Sequence, residues 1–357
     1  MDIKPLTGRQ AWASASVFLI VVNVAVALAM GVFGAGWSHS DSSVQMAWGA
    51  NFGPATKDGE WWRLGTAMFL HFGLLHLLAN MLALWDSGRL VESIFGTRRF
   101  LVIYLVGGLT GNLLSLIVQG DTAISGGASG AIFGVYGAFL VFLLHHRRQL
   151  HPVDFKWMFG GAAIFSLALL ALGWFIPAID NAAHAGGLVA GGVTGFILLP
   201  GHSSGSAVHA RARLFAGMVF LLVVITLLAQ IPAPRYRWSD EAIARDEIRA
   251  FVEEDARVNA RLRGLLRGTN AAGATFDELA GQIEADVVRH YEQSFEQLSD
   301  LHLSPQVPSA ATVERLRQYA EKRREASQAL AEGLRTHNEL QVKEALRSSG
   351  RAAKSLN

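Results

Sequence analysis

The sequence predicts an all-α membrane protein, a polytopic helix bundle followed by a small water-soluble helical domain. The bundle is predicted by seven apolar segments before residue 232, each near the ~20 residues that a membrane-spanning helix needs. The soluble domain is predicted by a change of composition after residue 235, where Arg, Glu, Ala and Gln replace the long apolar runs. The predicted spans are 12–34, 63–86, 100–119, 127–145, 157–177, 182–200 and 214–231.

These segments also give the predicted domain boundaries. The first apolar segment is interpreted as a retained helix and not as a signal peptide, because no small-residue cleavage site follows it cleanly and further spans come after it. The predicted domains are 1–34 (N-terminus and first span), 35–200 (core of the bundle, with a long outer loop at 35–62), 201–231 (loop and seventh span) and 235–357 (soluble helices).

The loops between the predicted spans alternate in charge, which predicts the side of the membrane on which each lies. The outer loops 35–62, 120–126 and 178–181 contain Lys57 as their one basic residue. Because cytoplasmic loops carry the excess of Lys and Arg, we expect a cytoplasmic N-terminus, and an odd number of spans then puts the tail outside. We expect the membrane to be a bacterial inner membrane. The basic residues of the other loops are Lys4, Arg9, Arg89, Arg98, Arg99, Arg147, Arg148, Lys156, Arg211 and Arg213.

Composition excludes several classes of function. The chain has no cysteine, which excludes disulfides, zinc fingers and thiol catalysis. Lys and Arg concentrate in short loops and form no basic stripe with interleaved aromatic residues, so nucleic acid is not an expected partner. The lipid bilayer is the expected surrounding of the first 231 residues.

Two polar residues of the second predicted span, His76 and Asn80, are four residues apart and therefore share a helix face. His71 is predicted to point elsewhere, about 140° around the axis from His76 at ~100° per residue. Two neutral donors on one face could bind a developing oxyanion. Alternatively, they form hydrogen bonds between helices and only hold the bundle together.

Ser129 and His184 each lie in a glycine-rich apolar segment, 126–134 and 181–187. Such groups at membrane depth are costly, and by default they mark a functional site. Ser129 opens the fourth span, where the helix dipole favours negative charge. Glycines on the two helices would allow the close approach that a Ser–His hydrogen bond requires, although small residues also serve packing alone. These glycines are Gly130, Gly134 and Gly137 on the fourth span, and Gly187, Gly191 and Gly195 on the sixth.

This pair of residues indicates a hydrolase within the bilayer, with a dyad and not a triad, because no carboxylate is placed to orient His184. A metal site built from His71, His76 and His184 would lack a carboxylate at depth and the His-Glu-x-x-His pattern. We therefore expect no metal and no cofactor. The acidic residues concerned are Asp121 and Asp180 in outer loops, and Asp86 and Glu92 at the cytoplasmic end.

At these positions the sequence resembles the rhomboid family of intramembrane serine proteases. The resemblance runs over residues 44–200, and the joint order and spacing of its motifs is far more specific than any one motif. The motifs are Trp62-Arg63; His71, His76 and Asn80; Glu92, Gly96 and Arg98; Gly127-Ala128-Ser129-Gly130; and Ala183-His184-Ala185-Gly186-Gly187.

The resemblance implies a catalytic dyad in which Ser129 is the nucleophile and His184 is the general base and then the acid. It also implies an oxyanion site formed by His76, Asn80 and the backbone N–H of Ser129. The supporting residues that it implies are Trp62, Arg63 and His71, which stabilise the outer loop, Gly127, which keeps that loop close to Ser129, and Gly130, Glu92 and Arg98.

Two positions depart from the family pattern. Phe133 stands one turn after Ser129, where many relatives carry a tyrosine that packs on the catalytic histidine; phenylalanine keeps the ring and loses the hydroxyl. Ala79 is smaller than the bulky residue often found at the lateral gate for substrate. Trp174 and Phe175, expected on the fifth span, are similar to the opposing wall of that gate.

The tail is predicted to form a small bundle of three helices, 239–267, 275–302 and 310–348, after the stiff linker Pro232-Ala233-Pro234. Apolar residues at helical spacing on the middle helix are interpreted as its core and not as a ligand site. The resemblance does not cover this domain, for which we expect a role in recruiting substrate or a partner. The core residues are Phe276, Leu279, Ile283, Val287, Tyr291, Phe295 and Leu298.

The expected function is hydrolysis of peptide bonds in or near the transmembrane segments of single-span membrane proteins. The alternative is a catalytically silent rhomboid-like protein that binds or traffics membrane proteins, but the intact Ser129 and His184 favour the protease. A transporter would predict internal repeats, and the sequence contains no recognisable repeat.

Overall fold

The structure is a computed structural model that describes residues 14–38, 40–200, 207–268 and 275–354. The chain divides into two compact units, one ending at Pro234 and the other beginning at Arg235. Lys4 and Arg9, two of the predicted cytoplasmic charges, lie outside the described residues. Residues 12 and 13 of the first predicted span and the first part of the loop 201–213 also lie outside them.

The first unit is a membrane helix bundle with one small β-ladder. Within the described residues, five helices are long and apolar enough to cross a membrane, and a bent helix pair makes a sixth. Helix α10 belongs to the bundle and is 17 residues long. The helices are α1 (Ala15–Val32), α2 (Ser42–Ala47), α3 (Gly53–Lys57), α4 (Arg63–Thr66), α5 (Leu74–Ala83), α6 (Arg89–Phe95), α7 (Thr97–Gln119), α8 (Ser129–His146), α9 (Pro152–Leu172), α10 (Asn181–Ile197) and α11 (Ala207–Ala229).

The second predicted span is not one straight helix. Its two parts, Arg63–Phe69 and Leu74–Phe95, meet at an angle of 91°. Gly73 forms the N-cap of α5 with φ +152°, a conformation that favours glycine. A π turn at Leu84–Gly88 joins α5 to α6. The prediction that His71 lies on the same helix as His76 is therefore wrong, because the helix begins only at Leu74.

Helix α8 lies at the centre of the bundle, packed between α7 and α10. Its glycines meet glycines of both neighbours at distances that leave no room for a side chain. A Cβ atom at Gly187 would lie 2.0 Å from the carbonyl oxygen of Gly130, and one at Gly191 would lie 2.0 Å from that of Gly134. In lipid there is no hydrophobic driving force for helices to associate. Close backbone packing at small residues therefore stabilises the contact between the helices.

The described part of the long outer loop is bonded to the segment that leads into α8. Strand β1 (Asn51–Phe52) pairs antiparallel with strand β2 (Ile124–Ser125), with Asn51 opposite Ser125. Lys57 of the loop forms a largely buried ion pair with Asp121, at 2.5 Å between Nζ and Oδ1. The outer loop and residues 121–125 therefore form one local structure.

At the other end of α7, Glu92 joins three helices. Its carboxylate is 2% exposed and accepts hydrogen bonds from the backbone N–H groups of Ala15 and Ser16, each at 2.9 Å. It also accepts from the hydroxyls of Ser16 and Thr97. A carboxylate at a helix N-terminus is favoured by the helix dipole, so Glu92 stabilises the start of α1 and ties it to α6 and α7.

The described residues of the second unit form helices joined by turns and short loops. The predicted helix 310–348 is wrong, because residues 336–338 divide it into two helices. His337 has φ +53°, and the N–H groups of His337 and Asn338 bond to the carbonyls of Leu334 and Gly333, which forms a Schellman motif. The helices are α12 (Trp238–Gly268), α13 (Phe276–Ile283), α14 (Arg289–Asp300), α15 (Ala310–Arg335) and α16 (Glu339–Lys354), with a π turn at Glu284–Val288 between α13 and α14.

The core of this unit contains most of the predicted residues. Leu279, Ile283, Val287, Tyr291 and Leu298 are buried, and Phe295 packs against them. Phe276 is 53% exposed, so its prediction as a core residue is wrong. It is the first residue of α13, and its ring contacts that of His337 at the surface, with the centroids 5.4 Å apart.

A buried polar network lies within the second unit. Asp255 accepts hydrogen bonds from the hydroxyls of Tyr291 and Tyr319 at 2.7 and 3.0 Å. Burial raises the pKa of both tyrosines, so each stays a protonated donor at neutral pH. Arg323, 4% exposed, lies over the ring of Tyr291 at 5.0 Å and donates to Asn259. Such networks stabilise when every member is paired and are costly when one is removed.

Replacing Asp255 by alanine is expected to destabilise the second unit, because it leaves two tyrosine hydroxyls without their acceptor. An unpaired buried polar group costs roughly 1–3 kcal/mol. Hydrogen exchange of the full chain should become faster in α13 to α15 and stay unchanged in α7 and α8. The control is Asp246→Ala, which removes an exposed carboxylate 3.5 Å from Arg249. Equal exchange in the two variants would contradict a stabilising role for the network.

Candidate active site

Ser129 and His184 come together where two helices begin. Ser129 is the first residue of α8, and His184 is in the first turn of α10. The Nε2 atom of His184 lies 2.8 Å from the Oγ atom of Ser129, a hydrogen-bond distance. His184 is 6% exposed. Both residues lie at helix N-termini, where the helix dipole favours an oxyanion.

The imidazole of His184 is held in place by an aromatic ring. The ring of Phe133 stacks on it with the centroids 4.2 Å apart and the planes 9° from parallel. Phe133 lies one turn after Ser129 on the same helix, so α8 contacts His184 at two points. Phe133, which stands where many relatives carry a tyrosine, thus keeps the ring contact with His184.

His184 has a single side-chain hydrogen-bond partner, Ser129, in the described part of the chain. Its Nδ1 atom is buried and has no hydrogen-bond acceptor among the described residues. Asp180, the acidic residue nearest in sequence, is the N-cap of α10 and accepts from the backbone N–H of Ala183 at 2.9 Å. The described geometry is that of a Ser–His pair.

His76 and Gly127 lie beside Ser129. A Cβ atom on Gly127 would be 3.0 Å from His76 Nε2 and 3.7 Å from Ser129 Oγ, and Gly127 has φ +138°. The N–H of Gly127 donates to the carbonyl of Ala67 at 2.8 Å, which fixes the segment before Ser129. His71 is buried with its ring 5.1 Å from that of His76, in contrast to the predicted separation around a helix.

Asn80 is buried one turn after His76. Its Nδ2 atom donates to the backbone carbonyl of His76 at 3.1 Å. This bond uses one of the two amide hydrogens and leaves the second for another acceptor. Among the described residues, no hydrogen bond joins Asn80 to Ser129. The oxyanion role of Asn80 therefore remains a prediction.

Arg63 is bonded to the outer loop, and its guanidinium lies over the ring of Trp62. The guanidinium of Arg63, 5% exposed, donates to the carbonyls of Met46 and Ala50 at 2.8 and 3.1 Å and pairs with Glu60. It also lies 4.7 Å from the ring centroid of Trp62. This geometry agrees with the loop-stabilising role that the resemblance implies.

Most of the remaining predicted residues are exposed, and Gly130 is buried between helices. Ala79 is exposed on α5, Arg98 is exposed at the start of α7, and Gly130 packs against Ala183. Trp174 and Phe175 are 84% and 83% exposed. They lie in the turn after α9, which ends at Leu172, and not within that helix as predicted. The gate assignment of Ala79, Trp174 and Phe175 remains a prediction.

Sequence reasoning missed a group of side chains beside the pair. Asp180 Oδ2 accepts hydrogen bonds from Ser115 at 2.5 Å and from Ser125 at 2.6 Å. The one available signal was the acidic residue just before the predicted sixth span, which is typical of a helix N-cap. No sequence pattern predicts that Ser115 and Ser125 bind Asp180.

The arrangement can support nucleophilic chemistry. A hydroxyl hydrogen-bonded to an imidazole is the arrangement by which a general base activates a serine. In the described residues, no three His, Asp or Glu side chains are grouped in a way that could hold a metal ion.

Comparison with known proteins gives matches over the same region. A family model of the Rhomboid domain matches residues 58–201. Rhomboid protease GluP of Bacillus subtilis is 38% identical over 152 residues, covering 43% of this chain and 29% of GluP. RHOMBOID-like protein 5 of Arabidopsis thaliana is 39% identical over 145 residues, covering 40% of this chain and 46% of that protein. The chain thus spans less than half the length of either relative.

A shorter relative is covered more fully. The putative rhomboid protease YdcA of Bacillus subtilis is 36% identical over 150 residues, which are 42% of this chain and 72% of YdcA. The residues that the Rhomboid family model matches include the bent helix pair, α7, α8 and α10. With its apolar helices, the chain is an integral membrane protein. By this identity over most of a relative's length, the chain belongs to the rhomboid family.

Proposed function

We propose that the protein is an intramembrane serine protease in which Ser129 attacks the peptide bond and His184 is the general base. The observation that carries the proposal is the hydrogen bond of 2.8 Å between His184 Nε2 and Ser129 Oγ, held by glycine-packed helices. Two of the relatives are named as proteases, which supports the same chemistry.

The reaction follows from the positions of these groups. Ser129 Oγ attacks the carbonyl carbon while its proton passes to His184 Nε2, and the carbonyl oxygen becomes an oxyanion. The N–H groups at the start of α8 and the donors of His76 and Asn80 would stabilise that charge. His184 then protonates the leaving amine. Water then attacks the acyl-enzyme while His184 accepts its proton, and His184 returns that proton to Ser129 Oγ as the bond between Oγ and the acyl carbon breaks.

The proposed substrate is a single-span membrane protein with small or helix-weakening residues near the outer end of its span. The backbone carbonyls of a membrane helix are already hydrogen-bonded, so a serine can attack only where the helix is unwound. Gly or Pro near the cleaved bond should therefore promote cleavage.

The direct test is cleavage of a single-span reporter by the purified protein and by its Ser129→Ala variant in lipid vesicles. We expect cleavage by the wild type and none by Ser129→Ala. The matched control is Ser166→Ala, which removes another serine of the membrane unit, 2% exposed and bonded to the carbonyl of Ala162. Equal cleavage of the reporter by the wild type and by Ser129→Ala would overturn the proposal. A wild-type protein that is folded but does not cleave the reporter would favour the binding or trafficking alternative.

Asn80→Ala is expected to lower the cleavage rate about 10²–10³-fold, the usual cost of losing one oxyanion donor. KM should change little, since the lost bond forms only in the transition state. Steady-state kinetics with the same reporter measure both quantities. A fully active Asn80→Ala variant would return Asn80 to a packing role, in line with its bond to His76.

We also propose that the protein lies in a bacterial inner membrane with its N-terminus in the cytoplasm and residues 235–357 outside. The basic loop residues and the apolar helix α11 support this orientation. The tail is then available to recruit substrate ectodomains or another partner. Having no cysteine, it would need no oxidative folding there.

Protease added to intact spheroplasts should remove the tail and leave the membrane core, because an outside tail is accessible without lysis. Immunoblots against each half of the chain measure the result, and a cytoplasmic marker protein controls for leakage. A tail that is digested only after lysis would contradict the proposed orientation.

A further inference from the structure

Asp180 connects both halves of the Ser129–His184 pair. Its Oδ1 atom accepts from the N–H of Ala183 at 2.9 Å, at the start of the helix that carries His184. Its Oδ2 atom accepts from Ser125 Oγ at 2.6 Å, on the strand that leads to Ser129. One carboxylate therefore contacts the two chain segments that supply the hydroxyl and the imidazole.

The spacing along the two segments is the same. Ser125 precedes Ser129 by four residues, and Asp180 precedes His184 by four residues. The Ser125–Asp180 bond at 2.6 Å and the Ser129–His184 bond at 2.8 Å thus join the same two segments at two levels. Two such bonds restrict both the distance between the segments and their relative rotation, whereas one bond leaves the rotation free.

Of these two bonds, the one between Ser125 and Asp180 is the stronger constraint, because its acceptor is a carboxylate. A hydrogen bond to an ionised carboxylate is roughly twice as strong as one between neutral groups. The carboxylate of Asp180 also interacts favourably with the dipole of α10, because it lies at the N-terminus of that helix. Ser125 is 9% exposed and Asp180 is partly buried, so little water competes for the bond. Ser115, on α7, donates a second hydroxyl to the same oxygen at 2.5 Å.

We infer that Asp180 is a positioning residue, which acts through Ser125 and the start of α10 to hold Ser129 and His184 at reacting distance. The inference rests on the proposed function. Asp180 does not contact the reacting atoms, so its loss should alter the geometry of the pair without altering where substrate binds. A misplacement of about 1 Å can cost ~10²-fold in rate.

The test compares Ser125→Ala with Ser115→Ala. Each removes one hydroxyl from Asp180, but only Ser125 belongs to the segment that leads to Ser129. Three quantities are measured for the folded protein in vesicles: kcat, KM and the rate at which a fluorophosphonate probe labels serine. We expect Ser125→Ala to lower kcat and the labelling rate together, by up to about 10²-fold, with KM unchanged. Ser115→Ala should keep labelling near that of the wild type.

Asp180→Asn provides a second variant that keeps the shape of the side chain. It retains the acceptor for Ala183 and replaces the charged oxygen that binds both serines, so we expect kcat and the labelling rate to fall as in Ser125→Ala, by up to about 10²-fold. If Ser125→Ala and Ser115→Ala lose labelling equally, or if neither loses it, the positioning role is overturned while the proposed function stands. If the wild type itself neither cleaves nor labels, the proposed function has failed instead.

Discussion

Replacing His184 by alanine is expected to lower the cleavage rate by up to about 10⁶-fold, as found where a general base acts as a unit with its serine. The serine hydroxyl is a weak nucleophile unless a base takes its proton, and His184 Nε2 at 2.8 Å is the one side-chain base bonded to Ser129 in the described residues. KM for a single-span reporter should change little. Single-turnover cleavage in vesicles measures the loss.

The matched control is His146→Ala. His146 is a second buried histidine of the same unit, 4% exposed, and its Nδ1 atom contacts the carbonyl of Phe142 at the far end of α8. This variant should cleave at nearly the wild-type rate once corrected for the folded fraction. Comparable losses in the two variants would mean that histidine removal acts through folding and not through chemistry.

Replacing Gly187 by alanine is expected to disrupt the active-site geometry and the fold together. The added Cβ would lie 2.0 Å from the carbonyl oxygen and 2.9 Å from the carbonyl carbon of Gly130, both backbone atoms that cannot rotate away. Overpacking typically costs ~1–3 kcal/mol or more. Gly130 is next to Ser129 in the chain, and Gly187 is three residues after His184. Moving α8 away from α10 would therefore also lengthen the Ser129–His184 bond.

Thermal unfolding and fluorophosphonate labelling of the same samples measure the two effects. Gly161→Ala is the control, since it adds the same methyl group to α9, where the described structure has nothing within 4 Å. Alanine is the better helix former by roughly 1 kcal/mol, so this variant should be as stable as the wild type or more so. A Gly187→Ala protein with normal stability and labelling would contradict the close packing of α8 and α10.

The bundle was predictable because its signals are local. Long apolar runs identify spans, and glycines repeated every three or four residues identify a helix face that another helix can approach. The sequence alone therefore predicts that Gly130 and Gly187 lie on facing helix surfaces. Ser129 and His184 were recognisable because such groups are costly at membrane depth and by default mark a functional site.

The missed features depend on backbone conformation or on contacts between distant residues. The bend before Leu74 follows from one glycine conformation, and it places His71 beside His76 despite their spacing. His337 ends α15 in a left-handed conformation that glycine usually supplies, so the sequence there contains no stop signal. The bonds from Ser115 and Ser125 to Asp180 join residues 65 and 55 positions apart, beyond the reach of any local pattern.

The most direct test of the central claim is to locate the serine that a fluorophosphonate probe modifies. Labelled protein is digested, and the modified residue is identified by mass spectrometry in the wild type, His184→Ala and His146→Ala. The Ser129–His184 dyad predicts one adduct, on Ser129, which is lost in His184→Ala and kept in His146→Ala. An adduct on another serine, or labelling of Ser129 that is undiminished in His184→Ala, would contradict it.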